Sequence, residues 1–178
     1  TLQAGEFGTS TENHSIKIIG TTFINNRATG YDIVDLVDDK GKVKGEIDNK
    51  DYTDRGGNGG AISNYFNKAS VTKSIFQNNH ADNGGGAIHN APLYDMSTHA
   101  KQYTTGNITI DSSEFDGNTA NVMGGAISNT VKASVVITGN SYQTKFTNNH
   151  AKYDGGAIAS YGELSIDNAF FKGNTANY

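Results

Sequence analysis

The stretch Phe76-Gln-Asn-Asn79-His-Ala-Asp-Asn-Gly-Gly85-Gly86-Ala-Ile88 carries two short motifs that recur along the chain. Gly-Gly-Ala-Ile occurs four times, at Gly59-Gly60-Ala61-Ile62, Gly85-Gly86-Ala87-Ile88, Gly124-Gly125-Ala126-Ile127 and Gly155-Gly156-Ala157-Ile158. Phe-x-x-Asn occurs five times, at Phe23 and Asn26, Phe76 and Asn79, Phe115 and Asn118, Phe146 and Asn149, and Phe171 and Asn174. In the three copies that combine both motifs, the first Gly follows the Phe by nine residues. Such constant spacing is typical of a repeat protein.

Two apolar residues precede four of the five Phe residues, the first by seven positions and the second by five. These pairs are Ile16 and Ile18, Ala69 and Val71, Ile108 and Ile110, and Leu164 and Ile166. Apolar residues two apart predict a strand with one buried face. Each repeat therefore contains three predicted short strands: one at Gly-Gly-Ala-Ile, one at the apolar pair and one at the Phe.

One such unit cannot bury its own Ile and Phe, whereas stacked units bury them in columns. The sequence therefore predicts an all-β fold, a parallel β-helix (solenoid) of about five coils, with strands stacked about 4.8 Å apart. We expect one interior column of Ile and one of Phe. The Gly pairs should lie at corners without room for a Cβ atom. The last Asn of each Phe-x-x-Asn should form an amide ladder between coils.

The length of 178 residues predicts a single β-helix domain over residues 16–178, after an N-terminal tail or cap at residues 1–15. Residues 4–10 also fit a vector-derived segment, so the fold prediction excludes them. The chain has no Cys, which excludes disulfides, thiol catalysis and Cys-ligated metals. A net charge of −4 argues against nucleic acid or an anionic membrane as the main partner. No apolar run is long enough to span a membrane.

Two long inserts interrupt the repeat at different links, so they should leave the coil at different edges. Residues 31–58 are rich in both signs of charge and contain a predicted β-hairpin that turns at Asp39-Lys40-Gly41. Residues 91–106 carry aromatic and basic side chains. Because scaffolds present their binding residues on loops, the candidate partner-binding residues are Asp35, Asp38, Lys42, Tyr94, His99, Lys101 and Tyr103. A third, small bulge is predicted at residues 139–142.

Gly-Gly-Ala-Ile paired with Phe-x-x-Asn resembles the repeat of the polymorphic outer membrane protein family, the chlamydial-type autotransporter passengers, and related bacterial and archaeal adhesin-like β-helix proteins. The resemblance covers residues 16–178 apart from the inserts. It implies a right-handed helix, an extracellular passenger region and a role in adhesion, and it marks the residues of the two motifs as the family hallmark. Chlamydial members often carry Cys, and this chain has none. No translocator barrel follows, so a wall-anchored surface protein is equally compatible.

A glycan-cleaving enzyme is the catalytic alternative to a non-catalytic scaffold. An inverting glycosidase needs two carboxyl groups about 6.5–9.5 Å apart, a distance that residues two coils apart would meet. The candidate acids are Asp111, Asp116, Asp154, Glu163 and Asp167. Asp111 and Asp167 occupy the same repeat position, but the coil between them carries no acid there, and no cluster of three acids suggests a Ca²⁺ site.

The spacing of the histidines does not fit a metal site. His80 and His150 occupy equivalent positions two coils apart, about 10 Å, with Thr119 between them, so they cannot share one zinc ion. His89 and His99 lack a third ligand at a fixed spacing. The sequence therefore predicts no metal and no cofactor.

The sequence leaves two classes of function open. The first is a non-catalytic extracellular adhesin or passenger module, attached to the outer membrane or cell wall in the full-length protein, that binds a protein or glycan on a host or neighbouring cell. The second is a polysaccharide-active lyase or glycoside hydrolase. A purely structural surface stalk differs from the adhesin only in lacking a partner. End-to-end self-association is a further predicted interaction, because a β-helix leaves a coil edge at each end.

Overall fold

The computed structural model describes residues 2–4, 15–29, 57–65, 68–92 and 105–177. Within these ranges all regular structure is β-strand, arranged in four parallel sheets of five strands each. None of these ranges holds a helix with the length and hydropathy of a membrane span. The predicted all-β parallel β-helix is thus confirmed.

The strands follow one another through the four sheets and then return to the first. The first sheet contains β1 (Leu2–Ala4), β5 (Ile62–Asn64), β9 (Ile88–Asn90), β13 (Ile127–Asn129) and β17 (Ile158–Ser160). The second contains β2 (Ser15–Ile19), β6 (Lys68–Thr72), β10 (Asn107–Asp111), β14 (Ser134–Thr138) and β18 (Glu163–Ile166). The third contains β3 (Thr22–Ile24), β7 (Ile75–Gln77), β11 (Glu114–Asp116), β15 (Thr144–Thr147) and β19 (Ala169–Lys172). The fourth contains β4 (Arg27–Ala28), β8 (His80–Ala81), β12 (Thr119–Ala120), β16 (His150–Ala151) and β20 (Thr175–Ala176).

Four consecutive strands make one coil, so β1–β20 make the five coils that the repeat predicted. The three predicted strands of each repeat are present. The fourth strand, of two residues, was not predicted, because two residues are too few to show an alternating pattern. Strand β1 lies in the predicted N-terminal tail or cap, where no strand was expected.

The interior consists of the predicted columns. Phe23, Phe76, Phe115, Phe146 and Phe171 lie in register, and the centroids of neighbouring rings are 4.7–4.9 Å apart. The Ile residues of Gly-Gly-Ala-Ile pair in register across the first sheet. The three central Phe side chains are fully buried, so stacking of coils, and not any single coil, buries the apolar surface.

The glycines of the motif allow close approach between neighbouring coils. Gly85 has a φ of +71°, which a residue with a Cβ atom rarely adopts. A Cβ atom on Gly86 would overlap the carbonyl oxygen of Gly125 in the next coil. The predicted corner role of the Gly pair is therefore confirmed at this coil.

Candidate functional site

The Asn residues of Phe-x-x-Asn form the predicted ladder, which we call the corner Asn ladder. Its members are Asn26, Asn79, Asn118, Asn149 and Asn174. The Nδ2 of each of the first four members donates to the Oδ1 of the next member at 2.8–2.9 Å. The central side chains also donate to a Phe carbonyl of the preceding coil. Because both amide atoms are engaged and the central members are fully buried, these side chains are not available to a ligand.

A second Asn ladder, which sequence reasoning missed, extends the Gly-Gly-Ala-Ile motif by two residues. Asn64 donates to Asn90 at 2.6 Å, and Asn90 donates to Asn129 at 2.8 Å. In the last coil Ser160 replaces Asn and accepts from Asn129 at 2.9 Å. The signal was present in the sequence, because three of the four motif copies read Gly-Gly-Ala-Ile-x-Asn.

The structure also contains a row of buried hydroxyl groups that was not predicted from the sequence. Ser74, Ser113 and Thr144 lie two residues before the Phe of their coils and are fully buried. Each accepts a hydrogen bond from the backbone N–H of its counterpart in the preceding coil, at 3.2–3.3 Å. The row satisfies backbone donors at the corner between the second and third sheets, where the ladder bonds are interrupted.

The candidate catalytic acids do not all lie on one sheet of the coil. Asp111 is the last residue of β10 in the second sheet and pairs in register with Thr138. Glu163 is the first residue of β18 in the same sheet and pairs with Ser134. Asp116 is on the third sheet and accepts from Thr147 Oγ1 at 2.6 Å. Asp154 precedes the last Gly pair and forms an isolated parallel β-bridge with Met123 through its backbone. Asp167 follows β18, one coil beyond Thr138, so Thr138 separates it from Asp111 as the repeat alignment predicted.

Asp111 anchors the small third insert. Its Oδ1 accepts from the Thr138 hydroxyl and from the backbone N–H of Asn140, both at 2.9 Å. Partial burial opposes ionisation of Asp111, but these hydrogen bonds, with those from Ser112 and the Asn140 side chain, lower the pKa of its carboxyl group below the usual value. The ionised carboxylate of Asp111 is thus the form that accepts these hydrogen bonds, whereas a general acid would need a raised pKa.

The exposed face of the fourth sheet holds a polar network that the sequence did not predict. His80 Nε2 lies 3.0 Å from Asp82 Oδ1, which also contacts Arg27 at 3.2 Å. His80 Nδ1 lies 2.8 Å from the hydroxyl of Thr119, and His150 Nδ1 lies 2.9 Å from that of Thr175. The register His80–Thr119–His150 is that expected from the sequence. Within the described residues, no group of three or more His, Cys, Asp and Glu side chains is placed to hold a metal ion.

His89 occupies an unusual position on the first sheet, where its counterparts are Ser63 and Ser128. Its side chain is buried, with its ring centroid 6.1 Å from that of Tyr65. Among the described side chains, His89 Nδ1 is the buried polar atom without a hydrogen-bond partner. Loss of hydration on burial lowers the pKa of His89 to about 4, so the ring is neutral at pH 7.

The candidate partner-binding residues Asp35, Asp38, Lys42, Tyr94, His99, Lys101 and Tyr103 lie outside the described residues, as does the predicted hairpin. The points where the inserts join the coil are described. The first insert connects β4 in the fourth sheet with β5 in the first, and the second connects β9 in the first sheet with β10 in the second. The two inserts therefore interrupt the coil at different links between sheets.

The ends of the second insert are held together. Gly106 packs against the backbone of Ala91 and Pro92 so closely that a Cβ atom would overlap it. Asn90 Nδ2 also donates to the carbonyl oxygen of Gly106. The coil therefore closes across the ends of the insert.

Comparison with known families agrees with the motif geometry. The profile of the Chlamydia polymorphic membrane protein (Chlamydia_PMP) repeat matches residues 20–65, 73–91, 112–130 and 143–161. Each of the four segments runs through a Gly-Gly-Ala-Ile motif and ends one residue after the strand that begins in it. No curated protein and no solved structure shows significant similarity to the chain. Because the profile covers more than half of the chain, in register with its coils, the chain belongs to the Chlamydia polymorphic membrane protein repeat family, whose members are associated with the outer membrane and cell surface.

Proposed function

We propose that this chain is a non-catalytic, extracellular passenger-type module that attaches to a host or neighbouring cell through residues 31–58 and 91–106. The observation that carries the proposal is the position of the two inserts. The first insert ends shortly before β5, and the second begins directly after β9. These two strands are neighbours in the first sheet. Two long inserts are thus attached at adjacent strands of the first sheet.

The difference between the coil motifs and the inserts supports the proposal. The motif side chains of the coil are engaged in stacks, ladders and corners, as the buried Phe115 and Asn118 illustrate. The repeat itself does not require segments of this length, because the neighbouring coils close without them. Rigid scaffolds with irregular loops are the usual arrangement of binding proteins.

Composition indicates the kind of partner. The first insert carries eight acidic and five basic residues between positions 31 and 58, and the second carries Tyr94, Tyr103 and His99. Aromatic side chains with mixed charge suit a protein surface or a glycan, in which apolar and hydrogen-bonding groups alternate. We infer a cell-surface protein or glycan as the partner.

The repeat supplies its own matched deletions. Residues 29–58 join Ala28 to Gly59, and in the next coil Asp-Asn-Gly alone joins the equivalent residues Ala81 and Gly85. The first graft therefore replaces residues 29–58 with Asp-Asn-Gly. Residues 91–106 join Asn90 to Asn107, and in the next coil Thr-Val-Lys-Ala alone joins the equivalent residues Asn129 and Ser134. The second graft therefore replaces residues 91–106 with Thr-Val-Lys-Ala. Both grafts copy a link that the fold already contains.

The experiment compares binding of the parent chain and the two grafts to cells and to a glycan array, with variants whose insert residues are scrambled as controls of equal length. We expect native far-UV circular dichroism in all variants, and loss of binding in the grafts and the scrambled forms. Unchanged binding by a chain carrying both grafts would contradict the proposal. Glycan cleavage that Asp154→Asn abolishes would instead support the enzymatic alternative, and a parent chain that binds nothing would favour a stalk.

A further inference from the structure

The first sheet has a buried row of polar side chains on the side opposite its Ile column. Along β9, Ile88 belongs to the interior core, so the next residue, His89, faces the other side of the sheet. His89 lies in register between Ser63 and Ser128, and all three are only 2–8% exposed. A Cβ atom on Gly84 would lie 3.0 Å from Ser128 Oγ, so the segment before the Gly pair packs against this row. We call Ser63, His89 and Ser128 the outer row.

The ends of both inserts meet at the outer row. The Ser63 hydroxyl donates to the carbonyl oxygen of Asn58, the last residue of the first insert, at 2.8 Å. His89 lies two residues before Ala91, the first residue of the second insert. The Ala91 N–H donates to the carbonyl oxygen of Asn64, the residue after Ser63, at 3.0 Å. The contact between β5 and β9 is thus also the place where the two inserts come together.

The links on either side of β5 and β9 differ from those of the next strand in the sheet. Strand β13 is joined to β12 by residues 121–126 and to β14 by residues 130–133. Strands β5 and β9 each have a short link on one side and a long insert on the other. A strand that is held by short links at both ends has less freedom to leave its sheet. Local opening of the first sheet is therefore easiest at β5 and β9.

His89 is the titratable member of the outer row, and its site does not accommodate a charge. Among the described side chains, its Nδ1 is the buried polar atom without a hydrogen-bond partner, and the ion pairs of the described residues do not include it. The ring faces Ser63 and Tyr65 from β5 and the residue after it, and Ser128 from β13. None of these three groups carries a charge between pH 7 and pH 5. No described group therefore compensates a proton on the ring, which favours a state in which the ring is hydrated.

We propose that His89 is a pH switch: protonation of its ring opens β5, β9 and the adjoining ends of both inserts, while the other coils stay folded. At pH 7 the neutral ring packs beside Tyr65 and the two strands stay paired. Acid weakens the attachment to cells because the inserts lose their fixed positions. This last consequence rests on the function proposed above.

The direction of the effect follows from proton binding. Burial lowers the pKa of His89 from 6.5 to about 4. At pH 5 an exposed imidazole is protonated, whereas the buried ring is mostly neutral, so opening takes up a proton and becomes more favourable as the pH falls. From pH 7 to pH 5 the equilibrium constant for opening should rise by about twentyfold.

Native-state hydrogen exchange of the full chain tests the switch. The Ala91 amide reports on the contact between β5 and β9, and the Lys145 amide, which donates to the Ser113 carbonyl oxygen at 2.9 Å, reports on the third sheet. After correction for intrinsic exchange rates, we expect opening at Ala91 to rise by about twentyfold from pH 7 to pH 5. At pH 5 it should be more frequent than opening at Lys145. It should also be insensitive to low urea concentrations, because local opening exposes little surface.

Substitutions copied from the repeat separate His89 from the other histidines. His89→Ser introduces the residue that lies on both sides of it in the outer row, and His150→Thr introduces the residue that lies on both sides of it in the fourth sheet. We expect the pH response of the Ala91 amide to disappear in His89→Ser and to remain in His150→Thr. His89→Gln, which keeps a polar side chain that does not titrate, is a second variant, and circular dichroism checks that all three are folded.

A binding measurement tests the link to attachment, with the cells that the parent chain binds at pH 7 as the probe. Binding of the parent and of His150→Thr should weaken at pH 5, and binding of His89→Ser should not. Unchanged binding of the parent at pH 5, despite opening at Ala91, contradicts this link. If the parent binds no cells at pH 7, the proposed function fails, and hydrogen exchange alone decides whether His89 is a switch.

Three exchange results overturn the switch itself. The first is an Ala91 amide whose opening does not increase from pH 7 to pH 5 in the parent. The second is equal opening and equal urea dependence at Ala91 and Lys145, which shows that only global unfolding exposes His89. The third is a pH response at Ala91 that persists in His89→Ser and His89→Gln.

Discussion

The side-chain amide of Asn79 donates to Asn118 Oδ1 at 2.9 Å, and the backbone N–H of Asn79 donates to the same oxygen at 3.0 Å. One carboxamide oxygen therefore satisfies two donors of the preceding coil, 39 residues away in sequence. Asn118 in turn donates to Asn149 and to the carbonyl oxygen of Phe76. The corner Asn ladder thus links successive coils through groups that are buried from water.

We predict that Asn118→Asp strongly destabilises the fold. The substitution nearly keeps the shape but replaces both donated hydrogen bonds with repulsion between oxygens, and it places a charge in a fully buried site. The expected loss in the free energy of unfolding is about 3–5 kcal/mol, the range for an uncompensated buried charge. Urea denaturation measures it. Asn78→Asp, the same change at an exposed neighbour, is the control and should cost far less; equal losses would show that the ladder is not the reason.

The Phe stack makes a second prediction. Phe115 is fully buried, with ring centroids of Phe76 and Phe146 at 4.7 and 4.8 Å. Phe115→Ala should lower the free energy of unfolding by about 3–5 kcal/mol, because it leaves a cavity between two rings. Phe115→Leu should cost less because it fills more of the space. Thermal and urea unfolding compare both with Phe170→Ala, at a 40% exposed site, and a Phe170 effect as large as that of Phe115 would contradict the interpretation.

Stability should fall as pH decreases through the range set by His89. Its pKa is lowered from 6.5 to about 4 in the folded chain, so the unfolded chain binds a proton at a higher pH than the folded one does. The stabilisation by the neutral buried ring is therefore complete above pH 6.5 and is lost progressively as pH falls toward 4. The expected loss is on the order of 3 kcal/mol across this range.

His89→Ser provides the control, because Ser occupies the equivalent positions 63 and 128. Denaturation at several pH values between 7 and 4 should show a smaller fall for the variant than for the parent. Parallel pH profiles for the two chains would show that His89 is not the group responsible.

Asp111 should hold the third insert in place. Asp111→Ala removes the acceptor of the Asn140 N–H, which lies at 2.9 Å. We expect faster hydrogen exchange of the Asn140 amide, by about tenfold or more if one hydrogen bond to a charged group is lost. NMR exchange measures it. Asp167→Ala, at the same repeat position two coils on, should leave that amide unchanged, and equal protection of Asn140 in parent and Asp111→Ala would refute the anchoring role.

The sequence predicted the columns because their signal is local. The apolar pairs such as Ile108 and Ile110 are two residues apart and identify a strand by themselves. The constant spacing from Phe to Gly then fixes which strands stack. The turn inside Phe-x-x-Asn also left a trace, since its third position is Asn or Gly in every copy and has φ values of +53° to +68°.

The buried polar positions were not predicted, because their environment depends on the next coil. Ser74 looks like an ordinary turn residue, yet it accepts from Thr21 and donates to the backbone of its own coil. His89 follows the same motif as Ser63 and Ser128 and is distinguished from a surface histidine only by its burial. No spacing rule within one repeat reveals such contacts.

The sequence by itself determined the period, the identity of the stacked residues and the points where the coil is interrupted, because repeated motifs at fixed intervals require equivalent positions in successive coils. The tertiary structure alone decided which polar groups are buried and paired, and that a fourth short strand completes each coil. The physical reason is that hydrogen bonds between coils join residues about 25–55 positions apart in the chain, as from Asn149 to Asn174 and from Asn26 to Asn79. Their formation depends on the stacking of one coil upon the next.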